Sequence, residues 1–203
     1  MKEDSYKTIA KPSKGIFKDR GSKFLAFAYP VISEEEIKKI LIKLKKDYYD
    51  ARHLCFAYRL GVDKKIYRTN DDGEPSNSAG QPIFGQIKSK NLTNLLIVVI
   101  RYFGSALLGK RGLINAYSSA TADALKNAVI CFKTVNNVYE ISFDHKVMND
   151  VMRVIKEEKL KPVNQQFELN CSITISIRQS LVDRILKRLR KINTVEIQLI
   201  NNQ

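Results

Sequence analysis

Apolar and polar positions along this chain alternate in short, readable segments. Residues 15–29, GIFKDRGSKFLAFAY, hold two strand-like runs around Asp19-Arg20-Gly21, and the glycine suits the backbone of a tight turn. Ser33-Glu34-Glu35-Glu36 has the spacing of a capping box, with Ser33 as N-cap and Glu36 expected to return to the serine amide. Ile37, Ile40, Leu41, Leu44 and Tyr48 then recur at helical spacing, opposite Lys38, Lys39, Lys43, Lys45 and Lys46. That pattern predicts an amphipathic helix over 34–49. RHLCFAYRL, residues 52–60, reads as a strand ending at Gly61, with a return strand over 64–69. A short helix is expected around Ile83, Phe84 and Ile87, with Pro82 in its first turn. LLIVVI, residues 95–100, lacks alternation and is rich in branched residues, as in a buried central strand. A helix over about 112–128 follows, packed by Leu113, Ile114, Tyr117, Ala120, Ala124, Leu125 and Ala128. Its small residues allow close approach to a sheet.

Residues 130–137, ICFKTVNN, read as a boundary. Beyond them the pattern becomes strand 138–143, helix 146–158, strands 161–166 and 168–177, helix 180–191 and strand 194–200. This β-α-β-β-α-β order is the ferredoxin-like arrangement. The expectation is an α+β protein of two domains, residues 1–132 and a ferredoxin-like 133–203.

Composition narrows the function classes. With 44% hydrophobic and 28% charged residues, the chain is ordinary for a globular protein and unlike a disordered one. Its longest strongly apolar run is far below the roughly 20 residues that span a bilayer, so no membrane partner is expected. The first residues, MKEDSYKTIAKPSKG, lack the apolar core of a secretory signal, which makes a cytoplasmic location the expectation. Cys55, Cys131 and Cys171 each sit in an apolar run, and neither His53 nor His145 lies at zinc-ligand spacing from them. No cofactor is expected. The 35 Lys and Arg against 21 Asp and Glu, a net +14, favour encounters with polyanions such as RNA, DNA or anionic lipid.

Against that charge, NDDGEPSNSAG at residues 70–80 stands out for its three carboxylates. One reading is a turn in which an aspartate caps nearby amides and Ser76 or Ser78 caps the helix starting near Gln81. A divalent metal site or an acid/base pair is a second and third. The fourth pairs the loop with cations near strand ends, giving a cluster of Arg52, His53, Arg68, Asp71, Asp72, Glu74 and Arg101. RYFGSALLGKRGL, residues 101–113, is a glycine-punctuated turn into a helix. Gly104, Gly109, Lys110 and Arg111 there are candidate phosphate contacts. The turn is not a nucleotide loop: Arg111 stands where GxxxxGK[ST] requires Ser or Thr, and GxGxxG is missing. Ser105, Ser118 and Ser119 lie in no nucleophile elbow, so no catalytic residue is assigned. Tyr58, Tyr67, Tyr102 and Phe103 all have core readings, leaving no identified aromatic for base stacking.

The same residues carry a family resemblance. ARHLCFAYRLG at 51–61, NDDGEPSNSAGQPIFGQI at 70–87 and LTNLLIVVIRYFGSALLGKRGLINAY at 92–117 resemble the YigZ/IMPACT family. The resemblance implies an N-terminal domain like the second domain of a small-subunit ribosomal protein. It also implies a C-terminal domain like the ferredoxin-like modules of elongation factors. Eukaryotic relatives act in translational control, restraining activation of the kinase that senses uncharged tRNA. Where the family usually has SGTAG, this chain has Ser76-Asn77-Ser78-Ala79-Gly80. The usual paired glycines become Gly104-Ser105, and GxGGL becomes Gly109-Lys110-Arg111-Gly112-Leu113. The expected function is a non-catalytic, translation-associated regulatory or RNA/ribosome-binding protein, whose partner is RNA, the ribosome or a translation-related protein. Two alternatives stand beside it: a metal-assisted phosphoester hydrolase using Asp71, Asp72 and Glu74 with His53 as base, and a protein-binding adaptor.

Overall fold

The computed structural model describes residues 4–167 and 171–202. It divides into two compact units, one of residues 6–133 and one of residues 134–202 joined by Asp4 and Ser5. The larger unit runs β1 (Ser5–Ile9), β2 (Ser13–Asp19), β3 (Ser22–Pro30), α1 (Glu34–Asp47), β4 (His53–Leu60), β5 (Ile66–Asn70), α2 (Gly80–Ser89), β6 (Leu95–Tyr102), α3 (Gly109–Lys126) and β7 (Ile130–Thr134). Short β1 pairs with β7, and neither strand stands out in the apolar pattern. The main sheet has the order β2-β3-β6-β4-β5, with every neighbouring pair antiparallel.

LLIVVI is the centre of that sheet, and its missing alternation has a direct cause. One face carries Phe24, Cys55, Ala57, Ile97 and Val99 against Ile83 and Ile87 of α2 and Leu113, Tyr117 and Ala120 of α3. The other carries Phe27, Phe56, Tyr58, Leu96, Val98 and Ile100 against Ile37 and Leu44 of α1. Both faces of β6 are therefore dry, and all six residues are fully buried. Each large side chain so buried contributes about 1.5–3 kcal/mol relative to exposure.

Small residues set how closely α3 lies on the sheet. A Cβ built on Gly15 of β2 would stand 2.2 Å from the backbone nitrogen of Ala124, so only glycine fits there. The α1 cap departs from expectation by one residue. Ser33 Oγ accepts the Glu36 amide at 3.2 Å, but the Glu36 carboxylate accepts the Ile32 amide at 2.9 Å instead of the Ser33 amide. Ser33 itself is extended, at φ −140 and ψ 159.

The smaller unit runs β8 (Asn136–Phe143), a 3₁₀ turn His145–Val147, α4 (Met148–Glu157), β9 (Pro162–Phe167), β10 (Cys171–Arg178), a 3₁₀ turn Gln179–Leu181, α5 (Val182–Leu189) and β11 (Glu196–Asn202). Residues 168–170 of the predicted third strand lie outside the described residues. The strands order as β11-β8-β10-β9, all antiparallel. Ile173, Ile175 and Ile177 alternate toward Val151, Ile155, Ile185 and Leu189 of the helices. Asp4 is tied to this unit by a two-point pair with Arg178, at 2.6 and 2.9 Å. Hydrogen bonds from Arg178, then Ser180, hold the Asp4 carboxyl down at about 2.

Candidate functional site

The acidic loop joins β5 to α2, and its three carboxylates have three separate tasks. Asp71 Oδ1 accepts the amides of Ala79 and Gly80 at 3.0 and 2.8 Å, and Oδ2 accepts that of Asn77 at 2.9 Å. An anion there meets the unpaired donors and the positive end of α2, so Asp71 caps the helix from across the loop. The serines expected to do this do not. Ala79 occupies the N-cap position, and the buried Ser78 hydroxyl has no hydrogen-bond partner among the described residues. Asp72 turns the chain with φ 42, followed by Gly73 at φ 85. Its Oδ2 accepts the Leu54 amide at 2.7 Å, and its carbonyl lies 2.6 Å from His53 Nδ1. A carbonyl only accepts, so the His53 proton sits on Nδ1.

Glu74 leaves the loop in the opposite sense, into the interior. Its Oε1 lies 2.6 Å from Arg101 Nη1, and the two side chains are 3% and 4% exposed. Tyr117 on α3 donates its hydroxyl to the same oxygen at 2.7 Å. The Cys55 thiol lies 3.3 Å from the Tyr117 oxygen and 3.0 Å from the Asp71 carbonyl, and its one proton serves one of them at a time. Burial, first of all, pushes both the Cys55 thiol and the Tyr117 phenol far up. Both are neutral at any physiological pH, so the thiol is a structural group and not a nucleophile. This network joins β4, the acidic loop, β6 and α3 at one end of the sheet. Breaking a buried pair of this kind from one side costs on the order of 3–5 kcal/mol.

Above the network the chain reaches the surface at Phe103. The Arg101 guanidinium lies 4.1 Å from the Phe103 ring centroid and 5.5 Å from that of Phe24. His53 meets Phe103 edge-on with centroids 5.5 Å apart, and the exposed Arg52 lies over the same ring at 5.4 Å. The glycine turn begins next. The Gly104 amide donates to Ser22 Oγ at 3.0 Å. A Cβ on Gly104 would stand 2.2 Å from the Gly21 carbonyl carbon, which wedges the turn against the β2–β3 hairpin. Gly109 has φ 66 and open space around it. Lys110 and Arg111 are exposed in the first turn of α3, which has no side-chain cap.

The expected cluster is thus divided. Arg52, His53, Asp72, Glu74 and Arg101 share one end of the sheet, but Arg101 is interior and committed to Glu74. Arg68 stands in register with Tyr58, placing it on the α1 side of the sheet, away from Arg101. Of the three acids only Glu74 meets an arginine; the two aspartates serve backbone amides. The hydrolase alternative needed convergent, free carboxylates. Here the aspartate oxygens face amides, and no group of three or more His, Cys, Asp or Glu among the described residues is arranged to hold a metal ion. Tyr117 and Cys55 read as core from sequence and are indeed buried, yet both carry the polar network. Phe103 also read as core, and it is 45% exposed. It lies one residue past the end of β6, where strand alternation no longer assigns a face, so the local pattern did not mark it.

On the α1 side of the sheet, a groove of about 390 Å³ is lined by Leu41, Lys45, Tyr49, Arg52, Leu54 and Phe56 among others. Tyr49 at its rim is 86% exposed.

Residues 20–125 match the model of the Impact N-terminal domain. The "IMPACT family member YvyE" of Bacillus subtilis is 30% identical over 155 residues, spanning 76% of this chain and 71% of that protein. The "IMPACT family member YigZ" of Escherichia coli is 24% identical over 199 residues, 97% of this chain and 98% of that one. Among solved structures, a hypothetical protein aligns over 98% of both chains with a TM-score of 0.72 at 23% identity, a likeness of fold.

Proposed function

This chain belongs to the IMPACT family, and from that premise we propose that it is a non-catalytic, translation-associated regulatory protein that binds RNA or the ribosome through a cationic rim. The rim is Arg52, Lys110 and Arg111, with the amides of the Gly104–Gly109 turn beside them; Arg101 supports it from beneath. One observation carries the reading. The three acids of the 71–74 loop are engaged internally, by amides and by Arg101, while Arg52, Lys110 and Arg111 carry no ion pair among the described residues. Unneutralised cations on a chain of net charge +14 attract a polyanion. Arg68, likewise without an ion pair among the described residues, extends the positive field on the α1 side.

The finer fold assignments are part of the same proposal. An N-terminal domain, 1–132, related to the second domain of a small-subunit ribosomal protein would suit a translation setting. So would a C-terminal ferredoxin-like domain, 133–203, for which the β-α-β-β-α-β order and four-stranded antiparallel sheet are the support. Action in the cytoplasm follows from that setting. Filter binding of structured RNA over a salt series tests the electrostatic core of the reading. The logarithm of the affinity should fall linearly with that of salt, with a slope shallower by about 0.7–0.9 for each rim cation replaced by Ala. Undetectable binding at low salt, or binding indifferent to salt, defeats it. A protein-binding adaptor is the second reading, favoured by the groove beside Tyr49, where an apolar floor meets Lys45 and Arg52. Substituting Tyr49 would then abolish partner binding that survives nuclease treatment.

A further inference from the structure

We propose that Phe103 is a stacking platform for one unpaired nucleobase of single-stranded RNA, with Arg52, Lys110 and Arg111 taking the adjoining phosphates. The inference rests on the RNA-binding reading above and adds which form of RNA is bound.

Phe103 is 45% exposed one residue past β6, whose residues 95–101 are buried, and its position is set from the protein side. Arg101 holds the ring at 4.1 Å and is itself locked by Glu74 at 2.6 Å. His53 stands against it at an interplanar angle of 66°, anchored by the Asp72 carbonyl. Gly104 is wedged against the β2–β3 turn, so the next residue cannot shift to draw the ring inward. Arg101 underlies the ring, and the exposed Arg52 over it at 5.4 Å is the side chain that a base displaces toward its phosphate, so the ring supplies a π face with a planar cation and a charge beside it. The other exposed aromatics differ. Tyr67 is already stacked on Phe84, with centroids 4.8 Å apart at 14°, and among the described residues no cation lies over the ring of Phe132 or of Tyr49, although Lys45 and Arg52 line the groove beside Tyr49. Duplex RNA hides its base faces within the stack, so such a platform selects single strands.

The chain contains no tryptophan, which makes Phe103→Trp a sole fluorescent reporter in the intact protein. The probes are a labelled oligouridine of about twelve nucleotides, within the range of single-strand sites, and its duplex with oligoadenosine. Anisotropy reads binding, and indole emission reads stacking. The proposal expects Phe103→Trp to bind the single strand at least as tightly as wild type with quenched emission, and to bind duplex without quenching. Phe103→Ala should weaken single-strand binding roughly tenfold while duplex affinity and salt slope persist. Phe103→Leu, which keeps apolar bulk without a π face, should behave like Ala; wild-type affinity in either variant overturns stacking. Single-strand binding that leaves the indole unquenched also overturns it, while the RNA reading survives. If wild type binds neither probe at low salt, the RNA reading falls and this inference falls with it.

Discussion

Glu74→Ala should destabilise the larger unit by about 3–5 kcal/mol, the cost of stripping one partner from a buried ion pair. The magnitude follows from the geometry. Glu74 and Arg101 are 3% and 4% exposed and meet at 2.6 Å. At that separation two unit charges attract by about 6 kcal/mol at an effective dielectric near 20, and desolvation of both ions offsets much of it. Truncation removes the attraction and leaves the Arg101 desolvation in place, while the Tyr117 hydroxyl also loses its acceptor. Removing both charges is different in kind. Glu74→Leu with Arg101→Met leaves no buried ion, so the double variant should recover most of that loss, falling short of wild type only by what the orphaned Tyr117 hydroxyl costs, about 1–3 kcal/mol. Urea unfolding followed by far-ultraviolet circular dichroism gives the three midpoints and slopes. A single variant that costs less than about 1 kcal/mol would refute the argument. So would a double variant as unstable as the single, because the loss would then lie in shape and not in charge.

Asp71→Ala removes the acceptor of three amides at the start of α2 and should cost about 1–2 kcal/mol, with Asp71→Asn intermediate because it keeps an oxygen but loses the charge; matching urea midpoints for Ala and wild type would contradict the capping role. At the smaller unit, Asp4 titrates at about 2 when folded against 3.8 ordinarily, first because of its hydrogen bond from Arg178. A depressed carboxyl stabilises the fold above its ordinary value and loses that contribution as pH falls through the folded one. The stability gap between wild type and Asp4→Asn should therefore close between about pH 4 and 2, and a gap constant over that window would exclude the pair as its source.

Local sequence chemistry carried the element pattern a long way. The Asp19-Arg20-Gly21 turn, the helix behind Ser33, the buried LLIVVI strand and the second β-α-β-β-α-β segment are each written in residues close together in the chain. The same is true of an aspartate capping amides in the 70–80 loop, since side-chain-to-amide bonds span few residues. Strands β1 and β7 were not legible. Each is five residues long, and they pair with one another across more than a hundred positions.

The candidate site divides along the same line. By itself the sequence determined most of the secondary structure, the positive charge and the presence of three acids in four positions, because those depend on periodicity and composition. Tertiary structure alone decided which acid meets which partner. Sheet register set His53 beside Arg101 and put Arg68 on the opposite face, and α3 brought Tyr117 to Glu74 from 43 residues away. It also decided that Arg101 is interior while Phe103, two residues on, meets solvent. The physical reason is that burial is not a property of a residue type: a guanidinium goes inside where a carboxylate and a hydroxyl wait for it, and a phenyl ring stays outside where the covering layer ends.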